Sequence, residues 1–212
     1  MTDPEQPLET PRLLLEPLAA AHAATLYAAL QPPELYTFIP QDPPPSPHGL
    51  EARYAALSTR RSPDGREAWL NWVMRQRATG VYIGSVEVTM YADPTAALAY
   101  MVFPPFWRQG YATEACRRVL AHLFDDYKVG RVAAEIDTRN AASIHLIEAL
   151  DFTRVITTPD ADFFKGAASE RSAPASTQAL RSPCCATSTA RGRAEDVSPR
   201  PQRAHHSPKN SL

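Results

Sequence analysis

Apolar and polar residues alternate in several short stretches of this chain, a two-residue period typical of strands buried on one face. The alternation predicts strands at Arg12–Leu18, Ala68–Arg75, Val81–Tyr91, Ala97–Phe103, Arg131–Asp137 and Phe152–Thr157. Apolar residues spaced three and four apart predict helices at His22–Leu30, Gly49–Ser58, Thr113–Tyr127 and Ala141–Leu150. The resulting order, β-α-α-β-β-β-α-β-α-β, predicts an α/β fold with a mixed sheet flanked by helices.

The second and third predicted strands are separated by Ala78–Gly80, which has the residues of a turn, so we expect an antiparallel hairpin. In the third strand we expect Ile83 to face one side of the sheet. The alternation then places Gly84, Val86 and Val88 on the other side.

A proline-rich stretch separates the first two predicted helices. Gln31–Pro47 contains seven prolines and has no periodic apolar pattern. It predicts a long, stiffened loop, and loops of this length are often functional.

The chain changes character at about residue 170, as a shifted reading frame or an alternative C-terminus would change it. Arg171–Leu212 has only Leu180, Val197 and Leu212 as large aliphatic residues and no aromatic residue. Because such a segment cannot bury enough apolar surface to offset the entropy of ordering, we expect it to be disordered. The predicted division is therefore a domain at residues 8–168 and a Ser/Pro/Arg-rich tail at residues 169–212.

The segment Pro104–Glu114, PPFWRQGYATE, is the most informative about function. It joins a predicted strand to a predicted helix, and the first turn of a helix carries N–H groups without partners inside the helix. These donors and the helix dipole suit a phosphate or pyrophosphate. Gly110 allows a backbone conformation that a Cβ would disfavour. Neither the Walker pattern nor GxGxxG is present, so those two nucleotide-binding folds are not supported.

Four segments, in order, resemble the GCN5-related N-acetyltransferases (GNAT), in particular the branch of ribosomal-protein N-terminal acetylases. Thr10–Leu18 is similar to the opening strand of that branch, and Tyr100–Ala115 is similar to its acyl-CoA-binding motif. Asn140–Ser143 fits the N-x-x-S that follows, and Leu150–Phe152 stands where the family usually has L-G-F. The resemblance implies a sheet splayed at its centre to admit acetyl-CoA.

The resemblance also implies which residues hold the cofactor. It assigns the pyrophosphate to backbone amides of Arg108, Gln109, Gly110, Tyr111 and Ala112. The Arg108 side chain either adds charge near the phosphates or is a solvated surface group. Trp107 is interpreted as a packing residue.

At the end of the preceding strand lie Met101 and Val102, whose backbone in the family pairs with the pantetheine arm. The resemblance implies that one amide there polarises the thioester carbonyl. The alternative, that these are two ordinary residues of a core strand, stays open because the active groups would belong to the backbone.

Asn140 is placed to cap the helix that follows it. By resemblance it also hydrogen-bonds the pantetheine arm, and Ser143 protonates or hydrogen-bonds the departing thiolate. The two roles of Asn140 are compatible.

The general base is the least determined residue. Glu87 lies in a strand where relatives often place a carboxylate that acts through water, although a lone Glu there is more often a surface residue. Asp137 is a second candidate, but a carboxylate at a strand end often binds local amides instead. His145 lies on a helix that has to pack, which disfavours it as a catalyst.

Asp151 replaces the usual Gly after the fourth predicted helix, where a left-handed backbone is expected. The family also closes its sheet with a last strand, and no alternating apolar pattern of strand length follows Glu170. We therefore expect the closing strand to be missing, which would leave an unpaired sheet edge that invites association, including a homodimer.

Composition narrows the classes of function. The chain has no apolar run of about 18 residues that could cross a membrane, no signal-peptide pattern and no metal-ligand spacing around its three cysteines, so we expect a cytoplasmic protein without a metal. Residues 1–170 contain 15 Lys or Arg and 21 Asp or Glu, a balance that favours a cationic amine substrate and disfavours nucleic acid.

These observations predict an enzyme that moves an acetyl group from acetyl-CoA to a primary amine by direct attack in a ternary complex. The branch resemblance favours a protein N-terminal α-amine. Alternatives are a small-molecule amine acceptor, or a non-catalytic or damaged acyl-CoA-binding protein. A weaker hypothesis is an adaptor whose basic tail touches nucleic acid.

Overall fold

The computed structural model describes residues 3–164 and 167–177, with side chains as far as Thr153. The described strands are β1 Leu8–Glu9, β2 Leu13–Pro17, β3 Ala68–Gln76, β4 Tyr82–Met90, β5 Thr95–Val102, β6 Arg131–Ala133, β7 Ile136–Asp137, β8 Thr153–Phe164 and β9 Ala167–Thr177. The α-helices are α1 His22–Leu26, α2 Pro47–Leu57, α3 Tyr111–Asp125 and α4 Ala141–Glu148. Short 3₁₀ turns lie at Ala28–Leu30, Pro33–Tyr36 and Pro104–Phe106.

The described strands form one mixed sheet in the order β1-β2-β3-β4-β5-β6-β9-β7, with β8 paired to β9. The β5–β6 pair is parallel, and the other pairs are antiparallel. The β3–β4 hairpin confirms the expectation from the sequence, and its turn includes Gly80 at φ +73°. The α/β fold with helices flanking a mixed sheet is therefore confirmed.

The sheet opens between β5 and β6. Their parallel pairing covers only Thr95–Ala97 and Arg131–Ala133, whereas β5 continues to Val102. Among the described strands, none pairs with this side of β5 beyond Ala97. The divergence confirms the expected splay, and it leaves backbone groups of β5 facing a gap.

Helices cover both faces of the sheet. On one, which we call the α3–α4 face, Trp72, Val86 and Leu98 pack with buried residues of α3 such as Leu120 and with Ile147 of α4. On the other, the α1–α2 face, a smaller cluster joins residues of α1 and α2 to Leu18, Val73 and Phe103. Burial of these apolar groups is the main stabilising contribution to such a fold.

The expectation that the closing strand is missing was wrong. Ala167–Thr177 forms β9, which pairs with β6, β7 and β8. Its sequence, AASERSAPAST, lacks an apolar alternation, but backbone pairing with three neighbours does not require one. The described sheet therefore continues to Thr177, past the predicted boundary at residue 168, and the reason given for self-association falls away. The remaining residues of the predicted tail lie outside the described part of the chain.

Two strand predictions also need correction. Arg131–Asp137 divides into β6 and β7, which both pair with β9. The ladder between β3 and β4 contains a bulge. Its register shifts between Met74 and Arg75 of β3, and β4 contributes the extra residue, Ile83. This bulge puts Ile83 in the same buried cluster as Val86, instead of on the opposite face.

Other local predictions were close to the observed elements. The first predicted helix divides into α1 and a 3₁₀ turn, and the proline-rich stretch is irregular apart from Pro33–Tyr36. Asp151 follows α4 at φ +63°, which confirms the left-handed position. Asp151 N–H donates to Glu148 O and Phe152 N–H to Ile147 O, the hydrogen-bond pattern of a Schellman motif.

Candidate functional site

The turn between β5 and α3 presents a row of unused N–H groups. Gly110 has φ +79° and precedes the first residue of α3, and Arg108 has φ +58°. Helical bonding begins with Glu114 N–H donating to Gly110 O. Within the described residues, no hydrogen bond uses the backbone N–H of any residue from 108 to 113. Such a row at a helix N-terminus attracts anionic groups such as phosphate.

Arg12, in the opening segment of the domain, holds this turn in place. Its Nη1 donates to Gln109 O over 2.9 Å, and its guanidinium lies 4.4 Å from the centre of the Tyr111 ring. Gln76 Nε2 donates to the hydroxyl of the same tyrosine over 2.7 Å. Contacts from β3 and from the segment before β2 therefore fix the backbone that carries the N–H groups.

Glu114, in the first turn of α3, completes the attachment of the turn. Its carboxylate accepts from Thr10 Oγ1 over 2.6 Å, from Arg12 N–H over 2.9 Å and from Arg12 Nε. Desolvation raises the pKa of Glu114, but these hydrogen bonds and the Arg12 charge outweigh it and leave the pKa below its usual value. The carboxylate is therefore ionised at neutral pH and belongs to the scaffold of the turn.

The backbone of β5 alternates between β4 and the gap. Phe103 N–H donates to Ile83 O, so Met101, two residues earlier, also directs its N–H and C=O toward β4, opposite Ser85. The close approach agrees with this, since a Cβ on Gly84 would lie 2.1 Å from Met101 O. Backbone groups of Tyr100 and Val102 consequently face the gap. Val102 O accepts from Trp107 Nε1, which ties the turn to the end of β5.

The N-terminus of α4 lies on the far side of the gap from β5. Asn140 Oδ1 accepts from Ser143 N–H over 3.1 Å, which confirms the predicted cap. Burial raises the pKa of Tyr100 to about 12, and the Ser143 hydroxyl acts in the opposite direction. The two hydroxyls therefore lie in the same region, although within the described structure the Tyr100 hydroxyl has no hydrogen-bond partner.

Glu87 lies on the α1–α2 face of the sheet and is partly exposed. In the register of the sheet it is opposite Asn71 of β3 and Ala99 of β5, and Ala99 is exposed. Burial raises the pKa of Tyr54 in α2, and the charge of Glu87 raises it further, so the two side chains are close. The carboxylate is thus partly open to solvent and lies within electrostatic range of α2.

The other candidate bases are placed less favourably. Asp137 is nearly buried and accepts from Arg139 N–H over 2.9 Å and from Arg139 Nη2 over 2.6 Å, which gives it a structural role. His145 is on the exposed side of α4. Burial raises the pKa of the Cys116 thiol to about 12, so this thiol stays protonated at neutral pH and is a poor nucleophile.

The described residues contain no cluster of His, Cys, Asp or Glu that could hold a metal ion. In the same part of the chain, every helix is too short or too polar to cross a membrane.

A comparison with protein families matches residues 12–153 to the family described as Acetyltransferase (GNAT) domain. The chain belongs to the GNAT acetyltransferases. It is thus a member of a family of acyl-CoA-dependent N-acetyltransferases, as the sequence predicted.

Individual relatives of this GNAT protein are similar in both sequence and fold. "Uncharacterized N-acetyltransferase YoaA" of Bacillus subtilis is 24% identical over 149 residues, 69% of this chain and 82% of YoaA. Mycobacterium smegmatis RimJ, solved with CoA-disulfide, has a TM-score of 0.71 at 20% identity, covering 83% of this chain and 88% of RimJ.

A second solved structure has a similar fold. The spermidine N-acetyltransferase of Vibrio cholerae, solved with CoA and spermine, has a TM-score of 0.68 at 18% identity. The alignment covers 80% of this chain and 98% of the Vibrio cholerae chain. At these identities the similarity to both solved structures extends to the fold alone.

The GNAT fold brings most of the predicted residues to one opening. Residues 108–112 lie at one end of the β5 edge, with Val102 beside them and Ser143 near Tyr100. Met101 is the exception, because its amide is directed into the β4–β5 ladder. Glu87 lies on the α1–α2 face, one strand away from the gap.

Sequence reasoning missed Arg12, Gln76 and Tyr100. Arg12 and Gln76 act through partners 35 to 102 residues away in the chain, and no local pattern indicates such contacts. The sequence indicated Tyr100 only weakly, as a residue with a polar hydroxyl near the end of an apolar strand.

Proposed function

We propose that this GNAT protein transfers an acetyl group from acetyl-CoA to a primary amine by direct attack in a ternary complex, with a protein N-terminal α-amine as its acceptor. The observation that carries the proposal is the row of unused N–H groups at residues 108–113, directly beside the unpaired edge of β5. A pyrophosphate fits the row, and an extended arm fits the edge.

In this proposal the N–H groups from Arg108 to Ala112 bind the pyrophosphate, and Asn140 supports the pantetheine arm. The arm pairs with the gap-facing backbone of Tyr100 and Val102. Val102 N–H, instead of Met101 N–H, donates to the thioester oxygen. A preorganised backbone donor of this kind lowers the barrier by about 2.7–4 kcal/mol in other enzymes.

Protons are handled on the two sides of the reacting carbonyl. Glu87 accepts a proton from the acceptor ammonium, which frees the nitrogen lone pair for attack on the carbonyl carbon. After the attack the nitrogen still carries one proton more than the amide product. As the C–S bond breaks, the Ser143 hydroxyl gives its proton to the leaving sulfur and takes up this proton from the nitrogen, so that coenzyme A leaves as the thiol. A covalent relay through Cys116 is disfavoured, because its thiol is buried and protonated.

The acceptor assignment rests on the resemblance to the N-terminal acetylase branch. Spermidine and related polyamines are the competing acceptors, because a protein of this fold acts on spermidine. The acidic balance of residues 1–170 suits either cationic acceptor.

Calorimetric titration with acetyl-CoA, combined with a thiol-release assay, tests the proposal. Short peptides with free α-amines and spermidine are compared as acceptors. Binding of acetyl-CoA together with thiol release on peptides supports the full proposal. Thiol release on spermidine alone would show that the acceptor is a polyamine and not a peptide α-amine. Binding of acetyl-CoA without thiol release on any amine favours the non-catalytic alternative. A missing closing strand no longer supports that alternative, because β9 is present.

A further inference from the structure

Within the described structure, the side chain of Asn71 in β3 is buried and its polar atoms lack hydrogen-bond partners. The residue is 2% exposed, and within the described structure neither Oδ1 nor Nδ2 of its side chain has a partner. Buried amide groups are normally satisfied by protein atoms or ordered water, so this side chain indicates a missing polar partner.

The register of the sheet places Asn71 directly beside Glu87. Asn71 O accepts from Leu18 N–H over 2.8 Å, so its backbone is directed toward β2 and away from β4. Asn71 and Glu87 therefore form a non-hydrogen-bonded cross-strand pair, in which the Cα atoms are about 4.5 Å apart and the side chains are on the same face. Two residues along β3, Val73 packs with the α1–α2 cluster, which identifies that face.

The chemistry of the two side chains requires a third group between them. A carboxylate can only accept hydrogen bonds, so Glu87 can satisfy Nδ2 of Asn71 but not Oδ1. A water molecule has two hydrogens, so it can donate to Oδ1 and to the carboxylate and also accept from Nδ2. It thereby satisfies both amide atoms at once.

Other ionisable groups near the pair come from the elements packed on this face. Tyr54 and Arg53 of α2 and Tyr36 of the 3₁₀ turn are electrostatically coupled, and Tyr54 is coupled to Glu87. Tyr36 directs its hydroxyl to Leu30 O. Because burial raises the pKa of Tyr54, its hydroxyl stays neutral in the range where a carboxylate titrates.

We infer that Asn71 is a positioning residue that holds an ordered water against the Glu87 carboxylate. The inference deepens the proposed function, since it rests on Glu87 as the base. The acceptor ammonium gives a proton to the water while the water gives a proton to the Glu87 carboxylate. The amine leaves this step neutral, the water is regenerated, and Glu87 is protonated.

The test compares Asn71→Leu, Asn71→Ser and the wild type in kcat and in KM for the best acceptor. The leucine variant removes both unpaired polar atoms at similar volume, whereas the serine variant keeps a hydroxyl and leaves room for water. We expect Asn71→Leu to lower kcat about tenfold, a fraction of the loss expected for the base itself. The KM for the acceptor should stay near the wild-type value, because Asn71 acts on the proton transfer and does not bind the acceptor. Asn71→Ser should restore much of the lost kcat.

Tyr127→Phe is the matched control. Like Asn71→Leu, it removes a buried polar group that has no partner in the described structure, here a hydroxyl. It should leave kcat unchanged. Affinity for acetyl-CoA should be the same in all variants. If Asn71→Leu fails to fold, Asn71→Ala is compared with Asn71→Ser in its place.

Two outcomes overturn the inference in distinguishable ways. A wild-type kcat in Asn71→Leu, while Glu87→Gln is impaired, removes the role of Asn71 and leaves the proposed function standing. Full turnover in Glu87→Gln removes the proposed base, and the water relay with it.

Discussion

The backbone N–H groups of residues 108–113 and the carboxylate of Glu87 carry the proposed chemistry at the scale of single residues. They differ in how they are prepared for it. The N–H row is fixed by Gly110, Arg12 and Gln76 before any ligand binds. Glu87 is partly exposed and depends on its neighbours for orientation. Because Glu87 acts through its side chain, substitution of Glu87 tests its role directly.

Glu87→Gln should lower kcat by about 100-fold or more, because a general base contributes about 10²–10⁴-fold. Affinity for acetyl-CoA should stay unchanged, since Glu87 lies one strand away from the gap. Steady-state kinetics with the thiol readout provide the measurement. Glu148→Gln, an exposed carboxylate on α4, is the control. Equal losses in both variants would contradict a catalytic role for Glu87.

Glu114→Gln should make stability less dependent on pH. The folded-state pKa of Glu114 lies below its usual value of 4.5, so its stabilising effect is present above that pH and is lost as pH falls through the lowered pKa. At neutral pH we expect a loss of about 1 kcal/mol, a modest value because the Arg12 side chain is 47% exposed to solvent.

Urea unfolding of the Glu114→Gln variant and the wild type at a series of pH values measures this difference. The two stabilities should converge as the pH falls from 4.5 through the lowered pKa of Glu114 and the wild-type carboxylate protonates. Glu51→Gln, on the exposed side of α2, should show no such convergence. A difference that is constant over the whole range would sink the assignment.

At the scale of elements, the ends of α3 and α4 follow from local rules. Gly110 precedes α3 in a left-handed conformation, Asn140 caps α4, and Asp151 follows it in a Schellman motif. Each rule involves residues within five positions of one another, so these features could be predicted from the sequence. The left-handed Asp is the one exception to the residue preferences at these ends.

Asp151→Gly should raise the free energy of unfolding by about 0.5–1 kcal/mol. Glycine adopts φ +63° without the steric cost of a Cβ, although it also makes the unfolded chain more flexible. Chemical denaturation measures the change. Asp125→Gly at the end of α3, where the backbone is right-handed, should change stability in the opposite direction. A loss of stability in Asp151→Gly would refute the explanation.

At the scale of the whole molecule, β9 holds the second half of the sheet together. It lies between β6 and β7 on one side and β8 on the other. This arrangement also defines the far wall of the gap, because α4 follows directly after β7. The integrity of the opening therefore depends on a strand of weak sequence pattern.

A truncation after Thr177 keeps all described strands and should retain both fold and cofactor affinity. A truncation after Phe164 removes β9 and leaves β6, β7 and β8 without their common partner. We expect the shorter protein to lose cooperative unfolding or to aggregate through its exposed edges. Thermal unfolding and size-exclusion chromatography compare the two. Equal behaviour of both truncated proteins would show that β9 contributes nothing to the fold.

Prediction from the sequence succeeded where neighbours in the chain decide the outcome. The hairpin, the turn at Gly110, the cap at Asn140 and the order of strands and helices from β2 to α3 all follow from spacing and residue type. The family resemblance added the splay of the sheet.

Only the tertiary structure decided which groups meet. A single bulge moved Ile83 to the other face, strand alternation selected Val102 over Met101, and pairing with three neighbours made a strand of Ala167–Thr177. Asn71 and Glu87 became a pair by register alone. The physical reason is that register and edge pairing depend on backbone hydrogen bonds between distant segments, and these bonds leave little trace in the local order of side chains.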